Sequence, residues 1–117
     1  MPVKSDADIG GLKTVAALTL DDSPGLLVAT GFSLLYSIHL VNTVAAVGYL
    51  QLFDVAALGS VTLGTTVADA VIPIAASAVV DIDLCKPVVF KNGIAAFSTT
   101  TSSGLTANIT HGSFFYA

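Results

Sequence analysis

The segment SLLYSIHLVN, residues 33–42, alternates side chain by side chain. Leu34, Tyr36, Ile38 and Leu40 fall on one side, and Leu35, Ser37, His39 and Val41 on the other. Successive side chains of an extended chain point to opposite faces, so a period of two marks a strand; an amphipathic helix needs apolar positions three and four apart. Ser37 and His39 interrupt the helical spacing and keep the alternating one. AVGYLQLFD, 46–54, repeats the pattern, with Val47, Tyr49, Gln51 and Phe53 on one face and Leu50, Leu52 and Asp54 on the other. The short polar link NTVA, 42–45, predicts that these two strands form a hairpin. AVVDIDL, 78–84, predicts a third clear strand, with Val80, Ile82 and Leu84 inward and Val79, Asp81 and Asp83 outward.

The charge inventory points the same way. All eight acidic residues are aspartate and all four basic ones are lysine; Glu and Arg are absent. Glu and Arg are good helix formers, whereas Asp favours caps and turns. Val, Thr, Ile, Phe and Tyr suit a pleated surface. Further strands are predicted at TVAALTL (14–20), LLVAT (26–30), AVIPIA (70–75), PVVF with the residues after Asn92-Gly93, and the closing LTANIT and SFFYA. Proline inside AVIPIA places that strand at a sheet edge or a bulge. DDSPG (21–25), Asn92-Gly93 and SSG (102–104) are turn signals. His111, before Gly112, is read as a turn residue. VAALGSVTLGTTVAD, 55–69, reads as a long excursion between strands. About eight short strands at this spacing describe an antiparallel β-sandwich, jelly-roll-like, over residues 14–117, preceded by an extended, polar arm at 1–13.

Only 10% of residues are charged against 54% hydrophobic, far from the roughly 25% charged of a soluble average. No Asp, Glu, Lys or Arg occurs between Asp22 and Asp54. A transmembrane helix is not predicted there: Pro24, Gly25 and Gly31 break the run, and Ser33, Ser37, His39, Asn42 and Thr43 recur through it, without flanking Lys or Arg. The N-terminal MPVKSDADIGGLK carries acids where a signal peptide has its apolar stretch. A net charge of -4 without arginine argues against nucleic-acid binding. The single Cys85 forms no internal disulfide and reads as a packed side chain near a strand end.

Chemistry is sparse. His39 and His111 are the only histidines, and a Ser-His-Asp set is assembled only on paper, without a nucleophile-elbow glycine pattern. Asp81 and Asp83, roughly 7 Å apart along a strand, could act as paired acids or calcium ligands. The simpler reading is that they keep a sheet face wet and blunt an edge. Asp6, Asp8, Asp21 and Asp22 read as arm and turn residues, without the spaced ligands of an EF-hand loop. No catalytic role, metal site or cofactor is expected.

The order VNTVAAVGYLQLFD, GSVTLGTT, AVIPIA, AVVDIDL and FKNGIAAFSTTTSSG resembles a group of small β-sandwich virion structural proteins of tailed bacteriophages, including capsid decoration and accessory proteins. The resemblance spans about residues 33–107 and rests on turn glycines and alternating apolar residues. It implies a virion subunit that cements the capsid, contacting the major capsid protein or other virion proteins, as a homo-oligomer with a trimer favoured. A tail, neck or fibre component, or a host-surface carbohydrate-binding module, are the alternatives. So few charges imply surface that is covered in the working state. Candidate contact residues are Val3, Lys4, Ile9 and Leu12 of the arm, and Phe114, Phe115 and Tyr116 at the end of the chain.

Overall fold

Period-two runs of Val, Ile, Leu and Tyr form strands along most of the chain. A computed structural model describes residues 13–20, 25–100 and 110–117. The strands are β1 (Lys13–Leu20), β2 (Leu26–Thr30), β3 (Ser33–Asn42), β4 (Gly48–Phe53), β5 (Ala70–Ile74), β6 (Val79–Phe90), β7 (Gly93–Thr99) and β8 (Thr110–Tyr116). Among the described residues the single helical turn is a 3-10 turn at Leu58–Ser60.

The strands make two antiparallel sheets, sheet I in the order β1-β8-β3-β6 and sheet II in the order β2-β7-β4-β5. The pairing is nested: β1 with β8, β2 with β7, β3 with β6, and β4 with β5. This is one long hairpin wrapped into two sheets, the jelly-roll arrangement of antiparallel sandwiches. β3–β8 and β4–β7 pairs complete the sheets. Between them lie Leu35, Ile38, Leu40, Leu50, Leu52, Ile74, Phe90, Ile94 and Phe114, with Val80, Ile82 and Leu84 packed against this core as the alternation predicts. β5, with Pro73, is the edge of sheet II, so its missing N–H costs little.

Three expectations are corrected. First, β3 and β4 do not form a hairpin; they belong to opposite sheets, joined by an arch at 43–47. The reason is Asn42, 1% exposed. Its Nδ2 donates to the carbonyls of Ala46 (2.9 Å), Ile74 (3.3 Å) and Ala75 (3.1 Å), and its Oδ1 accepts from the Val44 N–H at 3.0 Å. These bonds bend the chain across the sandwich rather than back along β3.

Second, the single face assigned to Leu34, Tyr36, Ile38 and Leu40 breaks at Tyr36. Leu35 pairs with Tyr116 and Ser37 with Phe115, so Tyr36 is an extra residue against β8. Against β6, Leu35 pairs with Val88 and Ser37 with Asp83, so Leu84 to Pro87 bow out opposite Tyr36. One inserted residue reverses which side the chain presents. Leu35 is therefore buried and Leu34 faces outward, while Ile38 and Leu40 stay inside.

Third, His111 and Gly112 are not a turn. They lie within β8, where His111 pairs with Val41 and Gly112 with Leu40.

Candidate interaction surface

The two outer faces of the sandwich differ. Over sheet II folds the 55–69 excursion. Val55, Leu58, Val61, Leu63 and Ala68 pack on Phe53, Ala95 and Phe97 and make a second small core. Phe53 and Phe97 meet edge to face at 5.5 Å, a favoured aromatic geometry. With cores on both sides, every residue of β7 is buried.

Electrostatics fix this cover. The Asp54 N–H donates to Asp69 Oδ2 at 2.7 Å, tying the two ends of the excursion together. The Asp54 carboxylate in turn accepts main-chain N–H bonds from Lys91 (3.0 Å), Asn92 (2.7 Å) and Gly93 (3.3 Å). Desolvation pushes its pKa up, but the bonds from Asn92, Lys91 and Gly93, with the Lys91 charge, outweigh it and hold the carboxyl below its usual value of 3.8. At this corner Gly93 has φ +153°, and an added Cβ would lie 2.5 Å from the Val55 carbonyl oxygen and 2.6 Å from that of Ala29.

Sheet I presents its outer face in rows set by register. Ala117, Leu34 and Val89 form one row, Leu34 and Ala117 exchanging main-chain bonds at 2.9 Å. Thr14, Phe115, Ser37 and Asp83 form the next, then Ala16, Ser113, His39 and Asp81, then His111, Val41 and Val79. The face is neutral except at the β6 edge, where Asp81 and Asp83 stand, outward as predicted. Its end rows carry exposed apolar side chains: Val79 is 61% exposed and Val89 50%, and Phe32 at the β2–β3 corner is 69% exposed.

His39 Nδ1 donates to Asp81 Oδ1, directly across the β3–β6 ladder. The His39 side chain is 43% exposed and that of Asp81 75%, so the pair contributes about 0–1 kcal/mol to stability and mainly orients the imidazole. Register also sets Ser113 beside His39, which completes a Ser-His-Asp row. The row lies in mid-sheet, where β3 is paired on both sides, with β6 and with β8. Among the described residues no group of three or more His, Cys, Asp or Glu is placed to hold a metal ion, and no helix is long and apolar enough to cross a membrane. Cys85 is exposed on the bowed part of β6, not packed as expected.

The C-terminal aromatic cluster splits by strand parity. Phe114 is 0% exposed and belongs to the core, so it is corrected from a contact residue to a packing one. Tyr116 faces inward, packed against that core, and Phe115 lies on the outer face of sheet I. Val3, Lys4, Ile9 and Leu12 lie outside the described residues, as does the arm apart from Lys13, which opens β1. The row holding Leu34 and Val89 is not legible in the sequence as a surface, because the bulge at Tyr36 hides the outward phase of Leu34 and PVVF shows no alternation; Val79, in AVVDIDL, is outward as read.

No protein-family model matches the chain, and comparison with curated proteins gives no match.

Proposed function

We propose that this chain is a virion structural subunit that decorates and cements a bacteriophage capsid, assembling as a homo-oligomer with a trimer favoured. The observation that carries this reading is the asymmetry of the sandwich. One outer face has its own cover, whereas that of sheet I, among the described residues, offers rows that are neutral except for Asp81 and Asp83 at the β6 edge and that end in exposed Val79 and Val89. Burial of such a face against neighbouring molecules would remove apolar area from water and leave few charges to desolvate. Ser37, Ser113 and Thr14 supply hydroxyls that can bond a partner's backbone at the centre of the contact. Jelly rolls serve this kind of lattice contact in viral capsids and also occur in lectins, so the fold is compatible with the role without selecting it. In this role the chain works by area burial across several subunits, with no chemistry required of it.

Immunogold electron microscopy with antibody against the purified chain tests the proposal directly on phage particles. Label over the head is the expected result. Label confined to tails or necks would transfer the subunit there, and unlabelled particles would defeat the virion reading.

A further inference from the structure

Gln51 sits in the middle of β4 with only 1% of its surface exposed. Its Nε2 donates to Thr99 Oγ1 at 2.9 Å. The remaining Nε2 hydrogen and Oε1 meet no hydrogen-bond partner among the described residues. A buried amide half satisfied in this way is uncommon and calls for an occupant. Gln51 lines a recess of about 230 Å³ between the outer face of sheet II and the excursion, walled by Gly64, Thr65, Thr66, Val67, Ala68 and Val71.

We propose that this recess binds the acetamido group of an N-acetylated sugar. A carboxamide presents one donor and one acceptor side by side, and a secondary amide is its complement: N–H toward the oxygen, C=O toward the nitrogen. The match survives exchange of the two ends of the Gln51 amide, because the ligand amide can turn with it. The acetyl methyl then lies against Val67, Ala68 and Val71. Thr65, Thr66 and the mouth of the recess face the ring. Anions are disfavoured, since no lysine lines the walls. A purely apolar ligand would leave the amide unpaired, and sites that hydrogen-bond a ligand group reject analogues lacking it. The volume is below the roughly 300–1,000 Å³ of pockets for drug-sized molecules, so it suits one functional group of a larger ligand.

This proposal is independent of the virion reading; either can fail alone. The test is a titration of the full chain, followed by two-dimensional ¹H–¹⁵N NMR, with N-acetylglucosamine, glucose and N-methylacetamide in separate arms at millimolar concentrations. The expected result is saturable shifts of the Gln51 side-chain amide and the 64–68 amides with N-acetylglucosamine, and none with glucose. Val71→Trp, from the exposed side of edge strand β5, should fill the recess and abolish the shifts with the rest of the spectrum retained. Gln51→Leu should do the same where it folds. Equal response to glucose, response to N-methylacetamide without the sugar, unchanged shifts in Val71→Trp, or no response at all would each overturn the proposal.

Discussion

The Asp54 carboxylate lies 2.7 Å from the main-chain nitrogen of Asn92, so the end of β4 holds the corner where the chain passes from β6 in sheet I to β7 in sheet II. Three N–H groups converge on this one side chain. Asp54→Ala should therefore lower stability by about 1.5–3 kcal/mol, the range for hydrogen bonds to a charged group, measured by urea denaturation at neutral pH. The folded carboxyl titrates below its usual value, so its contribution is fully present above the unfolded pKa of about 3.9 and is lost as pH falls through the lower folded value. The gap between wild type and Asp54→Ala should thus narrow on acidification below about pH 4. A gap that stays constant to lower pH would refute the assignment.

Asn42 makes a second long-range tie, binding the β3–β4 arch to the turn after Ile74. Asn42→Ala would strand the Val44 N–H and the carbonyls of Ala46, Ile74 and Ala75. A buried group left unsatisfied costs about 1–3 kcal/mol; the bond to Ile74 is buried and the other three are partly so, so this should cost at least as much as Asp54→Ala. Calorimetry of both variants ranks them, and an Asn42→Ala melting point equal to wild type would show that the arch holds without it.

Gly93 and Gly31 separate crowding from backbone strain. Both have positive φ, but a Cβ at Gly31 meets nothing within 4 Å, whereas at Gly93 it strikes two carbonyl oxygens. Gly31→Ala should cost only the conformational term of about 1–2 kcal/mol. Gly93→Ala should cost clearly more and raise amide exchange at Ala29 and Val55. Equal costs would mean that the corner relaxes around the added carbon.

These residues show which parts of the fold a linear reading reaches. β6 from Val79 to Leu84 is an edge segment with one wet face, so its pattern survives as clean alternation. β7 carries a core on each side, and GIAAFST therefore shows no alternation to read. The partners of β3 were beyond reach for a different reason. Hairpin and arch look alike in NTVA, and the choice rests on Asn42 bonds to residues more than thirty positions away. A one-residue bulge at Tyr36 exchanged the roles of Leu34 and Leu35 without any mark in composition. The candidate surfaces follow suit: outward Val79 is visible in AVVDIDL, while the recess at Gln51 exists only once the excursion folds back over sheet II.

The outer face of sheet I gives the sharpest test of assembly. Val79 and Val89 lie in its two end rows, on the edge strand β6, and neither belongs to the core. Val79→Asp with Val89→Asp places charges where a partner would have to bury them, and unpaired buried charge is strongly unfavourable. Self-association measured by light scattering and sedimentation should weaken about a hundredfold or more, equivalent to roughly 3 kcal/mol, with circular dichroism unchanged. Val47→Asp, at the exposed arch between β3 and β4, introduces the same chemistry away from these rows and should assemble like wild type. Two results would remove this face from consideration: a wild-type chain that sediments as a monomer at every concentration, or a double variant that associates as tightly as its parent.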